Sequence, residues 1–130
     1  MSLFNKLFGL GAAGAIGYVA LKAIQHADEE IRRQNCTVYF CDGISEEEFR
    51  NIAYKALKRI KKKKIEISVD NAIIYGSVLS QSGLSTWDFS IDFNDYGHIT
   101  GRCWIYSSNR DSNIPDSYAE YLRDMIYDYL

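Results

Sequence analysis

Proline is almost missing from this chain: Pro115 stands alone against ten tyrosines. With 47% hydrophobic and 14% aromatic residues, that scarcity excludes a disordered chain, which lacks the apolar surface to offset conformational entropy. Cysteine is scarce too. Cys36, Cys41 and Cys103 are odd in number and have no framework spacing, which argues against a disulfide-stapled secreted scaffold and fits a reducing compartment. Cys36 and Cys41 could form half a metal site, but Thr37-Val38-Tyr39-Phe40 reads as a strand. Residues five apart in a strand lie about 16 Å apart and point to opposite faces, so no metal ligand is expected, and no cofactor. A dominant charge is also lacking, since 15 basic and 17 acidic residues give a net charge of −2; electrostatic function must come from local clusters. Finally, no serine or cysteine has a base at a recognisable spacing, His98 falls in or beside a turn, and Cys103 alternates with Ile105 toward the expected core. No catalytic residue is assigned and no enzyme is expected. The 130 residues suit one domain with one core.

What is present begins with an uncharged run, Leu7 to Leu21. As a helix it is about 22 Å long, short of the ~30 Å hydrocarbon core of a bilayer. A full span would recruit Phe4 and Ile24, with Lys6 and Lys22 snorkelling. Four glycines in this run would each cost a water-exposed helix about 1 kcal/mol relative to alanine. Close packing is the expected compensation: Gly9, Ala13 and Gly17 recur every four residues as a small-xxx-small stripe, through which two copies could pack. Gly9 to Gly14 also matches the dinucleotide fingerprint as a string, but lacks the preceding strand and the βαβ unit that this motif requires. A cleavable signal peptide lacks its A-x-A site. Lys22 to Asn35 continues as a helical stalk, with Asp28 and Arg32, and Glu29 and Arg33, at i,i+4 spacing. The chain therefore divides into residues 1–35, apolar helix and stalk, and residues 36–130, a small domain.

Ser45-Glu46-Glu47-Glu48 is a capping box that starts a helix, and Phe49, Ile52, Ala53, Ala56, Leu57 and Ile60 give it one buried stripe. The period then changes. Ile65 to Ser80 and Ser85 to Phe93 read as strands, with Trp87, Phe89, Ile91 and Phe93 alternating against Asp88, Ser90 and Asp92. Gln81-Ser82-Gly83 turns the chain once and Asn94-Asp95-Tyr96-Gly97 turns it again, with Gly97 where a positive φ is expected, so His98 to Ser107 should return antiparallel. Pro115 opens a last helix whose apolar face is Tyr118, Leu122, Met125, Ile126 and Tyr129. The expected fold class is α+β: an N-terminal apolar helix, a short strand at Val38 to Phe40, a helix, a three-stranded antiparallel meander and a helix. Two helices should cover one sheet face.

The stretch YGSVLSQSGLSTWDFSIDFNDYGHITG, Tyr75 to Gly101, together with Asp111 to Pro115, resembles a family of small uncharacterised proteins common in Gram-positive bacteria. Some members carry a zinc ribbon or an apolar segment ahead of this domain. The resemblance covers roughly the last two-thirds of the chain and supports the domain boundary, but implies no activity.

Two surfaces invite a binding role. Lys55, Lys58, Arg59, Lys61, Lys62, Lys63 and Lys64 crowd the end of the first domain helix, where they serve the helix dipole or contact an anionic lipid surface or phosphates. The order helix, meander, helix is also that of double-stranded RNA-binding domains. The last helix here begins Asp116-Ser117 and continues with Glu120, Asp124 and Asp128, carboxylates that would repel a duplex, so nucleic acid is disfavoured. On the sheet face away from Trp87 and Phe89, Asp88 and Asp92 read as solvating residues, and Asp88, Arg102, Trp104 and Tyr106 have the composition of a partner-binding face. That face is either open or covered by a helix or the stalk. The expected function is a non-enzymatic interaction module, membrane-associated or assembled as a homo-oligomer through its N-terminal helix, with the domain in the cytoplasm and its protein partner unknown. The alternative is a soluble cytoplasmic regulator that binds nucleic acid or another polyanion through the lysine-rich helix end.

Overall fold

The computed structural model describes residues 28–60, 64–80 and 82–130. The stripe Gly9, Ala13 and Gly17, and Lys61 to Lys63 of the basic cluster, lie outside the described residues. Three helices and one sheet make up the rest. Residues 28–35 are helical and are called α1; α2 spans Glu46–Leu57 and α3 spans Ile114–Tyr127. Strands β1 (Ile65–Asp70), β2 (Ile73–Leu79), β3 (Thr86–Asp92) and β4 (Trp104–Ser107) form an antiparallel sheet in the order β1-β2-β3-β4.

The α+β class stands, and the meander has four strands where three were expected. The extra strand comes from a turn inside Ile65 to Ser80. Asn71 takes a left-handed φ of 53°, a conformation its short polar side chain tolerates, and its amide nitrogen donates to the Val38 carbonyl at 3.4 Å. The expected strand at Val38 to Phe40 is irregular. Val38 is buried and Tyr39 exposed, as alternation requires, but no strand pairs with them, and Phe40 leaves the extended region at φ 53°.

The turn at Tyr96-Gly97 is a two-residue hairpin connection. Both residues have positive φ, 51° and 87°, and Asp95 and His98 exchange backbone hydrogen bonds of 2.9 and 3.0 Å, the pattern that suits the twist of antiparallel chains. Ladder pairing with β3 resumes only at Trp104.

Alternation splits the sheet into two faces. Inward point Ile74, Val78, Phe89 and Ile91, which pack with Phe49, Ile52, Ala53 and Ala56 of α2 and Tyr118, Leu122 and Ile126 of α3 in one core. The α2 capping box is formed, with Glu48 N–H donating to Ser45 Oγ at 3.1 Å and Ser45 N–H to Glu48 Oε1 at 3.0 Å. The two helices are tied by Tyr118 Oη, which donates to the Ala53 carbonyl at 2.6 Å. Gly76 lies opposite Phe89, and a Cβ there would overlap the Phe89 ring. The outward face is mixed, with Asp88, Ser90 and Asp92 of β3 beside Ile73, Tyr75, Trp104 and Tyr106.

Candidate functional site

The strand register sets the outward face in rows. Ile73, Asp92 and Trp104 stand side by side, and Tyr75, Ser90 and Tyr106 form the next row. Onto these rows lies α1. Arg33 is 2% exposed; its Nη1 donates to Asp92 Oδ2 at 3.0 Å and to the Asn94 carbonyl at 2.6 Å. The guanidinium carbon sits 3.8 Å from the centre of the Trp104 ring, so stacking on the ring face accompanies a cation that donates from one nitrogen only. Among the described residues, Arg33 Nε and Nη2 and Ser90 Oγ find no hydrogen-bond partner. One turn earlier, Tyr106 Oη donates to Glu30 at 2.7 Å.

Asp92 is held from its other side by the Asn94 N–H, which donates to Oδ1 at 2.8 Å. Burial outweighs that bond and the Arg33 charge, and pushes the Asp92 carboxyl above its ordinary value. Asn94 then knits the surrounding chain: its side-chain nitrogen donates to the Cys36 carbonyl at 2.8 Å, and its Oδ1 accepts from Gly97 N–H at 2.7 Å. Gly97 passes close to the Thr37 carbonyl, where a Cβ would collide. Beside this network a cleft of about 350 Å³ opens between residues 34–38 and the β1–β2 turn, with Asp70, Asn71, Tyr75 and Asp92 on its walls.

Of the face expected from the sequence, the structure brings Arg102, Trp104 and Tyr106 together and sets Asp88 apart. Arg102 is exposed, 5.2 Å from the Trp104 ring and 3.9 Å from Asp95. The backbone of Asp88 is bonded to Ser108 at the other end of β3. Over β3 and β4, α1 covers the face through Glu30 and Arg33. Asp92 is therefore no solvating residue, and Arg33 turns away from its i,i+4 neighbour Glu29 to meet an aspartate 59 positions later. Glu30, Arg33 and Asn94 were not legible as members of this site. The available signal was that Asp92 stands between Ile91 and Phe93, at the buried end of β3.

A second cluster lies at the far side of the 36–44 segment. Cys41, Asp42 and His98 bring a thiol, a carboxylate and an imidazole within 4.8 Å of one another. Asp42 Oδ1 is 3.0 Å from His98 Nδ1, and Asp42 Oδ2 accepts from the Ile99 N–H at 3.0 Å. The Ile99 bond is the main reason the Asp42 carboxyl lies below its ordinary value. The strand expected across Thr37 to Phe40 set Cys41 on the face opposite Cys36 and gave no sign of a partner as far along the chain as His98.

No protein-family model, curated protein or solved structure matches this chain. Among the described residues, no helix is long and apolar enough to cross a membrane. Lys55, Lys58, Arg59 and Lys64 are all exposed, and Arg59 leans toward the Tyr121 ring at 5.5 Å.

Proposed function

We propose that the protein is a non-enzymatic interaction module whose binding element is the N-terminal segment, presented by the domain on a fixed arm. The observation that carries this reading is the anchorage of α1: a buried arginine clamped between Asp92, the Asn94 carbonyl and the Trp104 ring. A stalk meant only as a tether has no use for such a clamp. An arm that is already oriented loses less entropy when its tip engages a partner, which is the general advantage of preorganisation.

The tip that precedes this arm carries the uncharged run Leu7 to Leu21 and the stripe Gly9, Ala13 and Gly17. Small residues at this spacing suit the close approach of a second copy, in a bilayer or in a helical assembly, with the domain on the cytoplasmic side. Fractionation of the full-length protein tests the reading. Recovery with membranes, or as an oligomer, is expected, and Ala13→Leu or Gly17→Leu should reduce crosslinking between copies. A full-length protein that stays entirely monomeric in the soluble fraction without detergent would refute it.

A further inference from the structure

Cys41 and Asp42 belong to the irregular segment before α2, and His98 to the connection between β3 and β4. Two features hold these segments independently of the side chains in the cluster, and a third orients one of those side chains. The Asn94 side chain bonds both the Cys36 carbonyl and the Gly97 N–H, the Tyr96-Gly97 turn is closed by the Asp95–His98 bonds, and the Ile99 N–H fixes the Asp42 carboxylate. The cluster is thus assembled by the fold. Cys41 and His98 are exposed, so an ion can reach the three groups directly from solvent.

The donor set selects a class of ion. Calcium and magnesium take oxygen ligands, whereas a thiolate with an imidazole and a carboxylate suits a borderline dication, zinc above all. Geometry agrees. With zinc bonds of about 2.0 to 2.3 Å, ligand atoms around a tetrahedral ion stand roughly 3 to 4 Å apart. The Asp42–His98 separation of 3.0 Å already matches, and the whole triad lies within 4.8 Å, so turning the exposed side chains of Cys41 and His98 closes it.

We propose that Cys41 Sγ, Asp42 Oδ1 and an imidazole nitrogen of His98 bind one zinc ion, with water as the fourth ligand. Binding is a Lewis acid–base step in which the three protein atoms donate electron pairs to the ion and the Cys41 proton leaves to solvent. The proton shared by His98 and Asp42 gives way, so that the imidazole keeps its proton on the nitrogen that does not ligate. The ion ties the segment leading into α2 to the β3–β4 connection. The site lies apart from the Arg33 clamp and stands or falls separately from the interaction reading above.

The test is a titration of chelator-treated full-length protein with zinc against a chromophoric chelator, paired with cobalt(II) as a spectroscopic substitute. The expected result is one ion per chain and a thiolate-to-cobalt charge-transfer band. Cys41→Ser should abolish the band. Both Cys41→Ser and His98→Ala should weaken zinc binding about 100-fold or more, since even the outer partners of metal ligands are worth about 10- to 100-fold. Cys36→Ser and His26→Ala should leave binding and band unchanged, and far-ultraviolet circular dichroism should show every variant folded. A wild-type cobalt complex without a thiolate band would overturn the assignment, as would zinc affinity that survives both Cys41→Ser and His98→Ala, or that falls equally in Cys36→Ser or His26→Ala.

Discussion

Arg33 is the one arginine among the described residues that is buried, and its surroundings decide what its removal would do. In Arg33→Ala the Asp92 carboxylate, itself 2% exposed, would keep its burial and lose its countercharge. Breaking a buried pair from one side costs about 3 to 5 kcal/mol, more than the pair itself is worth, because the surviving charge is left without compensation. Urea denaturation should show a loss in that range for Arg33→Ala. The double variant Arg33→Met, Asp92→Leu should lose much less, although the Asn94 N–H then gives up its acceptor. A loss below about 1 kcal/mol in the single variant would mean that water reaches Asp92 and that the clamp is weak. Tyr118 offers a contrast at the same scale. Tyr118→Phe keeps the ring that packs edge-on against Phe89 and deletes only the bond to the Ala53 carbonyl, so it should cost about 0.5 to 1.5 kcal/mol.

At the scale of elements, α1 is the piece whose membership the sequence obscured. It lies before Cys36, on the far side of the boundary drawn from composition, yet its Arg33 and Glu30 bond to β3 and β4. A chain beginning at residue 36 should therefore be less stable to urea than one beginning at residue 28. Its tryptophan emission should also shift to the red, because Trp104 loses its cover; equal stability and unchanged emission would show that α1 contributes nothing to the fold. Other elements announced themselves through short-range chemistry. Ser45 and Glu48 mark the start of α2 by a reciprocal bond three residues apart, and Gly97 marks a turn because its φ suits glycine. The β1–β2 hairpin escaped notice because Asn71, not glycine, takes the left-handed position, and the reason, its bond to Val38, comes from 33 positions earlier. The same distance effect hid the Arg33 site and the Cys41 cluster. A residue's identity carries its own backbone preference, whereas a partner 50 or more positions away leaves no local mark.

At the scale of the whole molecule, the described residues form one sheet with two unlike sides, an apolar one closed by α2 and α3 and a mixed one that buries Tyr75 as well as the ion pair. Burial, reinforced by the charges of Asp70 and Asp92, pushes the Tyr75 hydroxyl from 10.0 up to about 12, and burial raises Tyr106 and Tyr118 as well. Folding thus holds these protons more tightly than the unfolded chain does. The stability linked to Tyr75 is fully present below pH 10.0 and is lost as pH rises through about 12. Denaturation midpoints measured across that window should fall for the wild type and fall less steeply for Tyr75→Phe. Parallel slopes would place the Tyr75 hydroxyl in water.

The spacing between Arg33 and Asp92 also has a meaning in time. A chain emerges from the ribosome from its amino end, so α1 is made before any of the strands on which it rests. Asp92 follows Arg33 by 59 residues, which at 5 to 20 residues per second is a delay of roughly 3 to 12 s. During that interval α1 has no sheet to rest on, although Gly9, Ala13 and Gly17 have already been made. On the proposed reading, a partner of the leading segment would find it before the domain is complete, and the Arg33 clamp would close only afterwards.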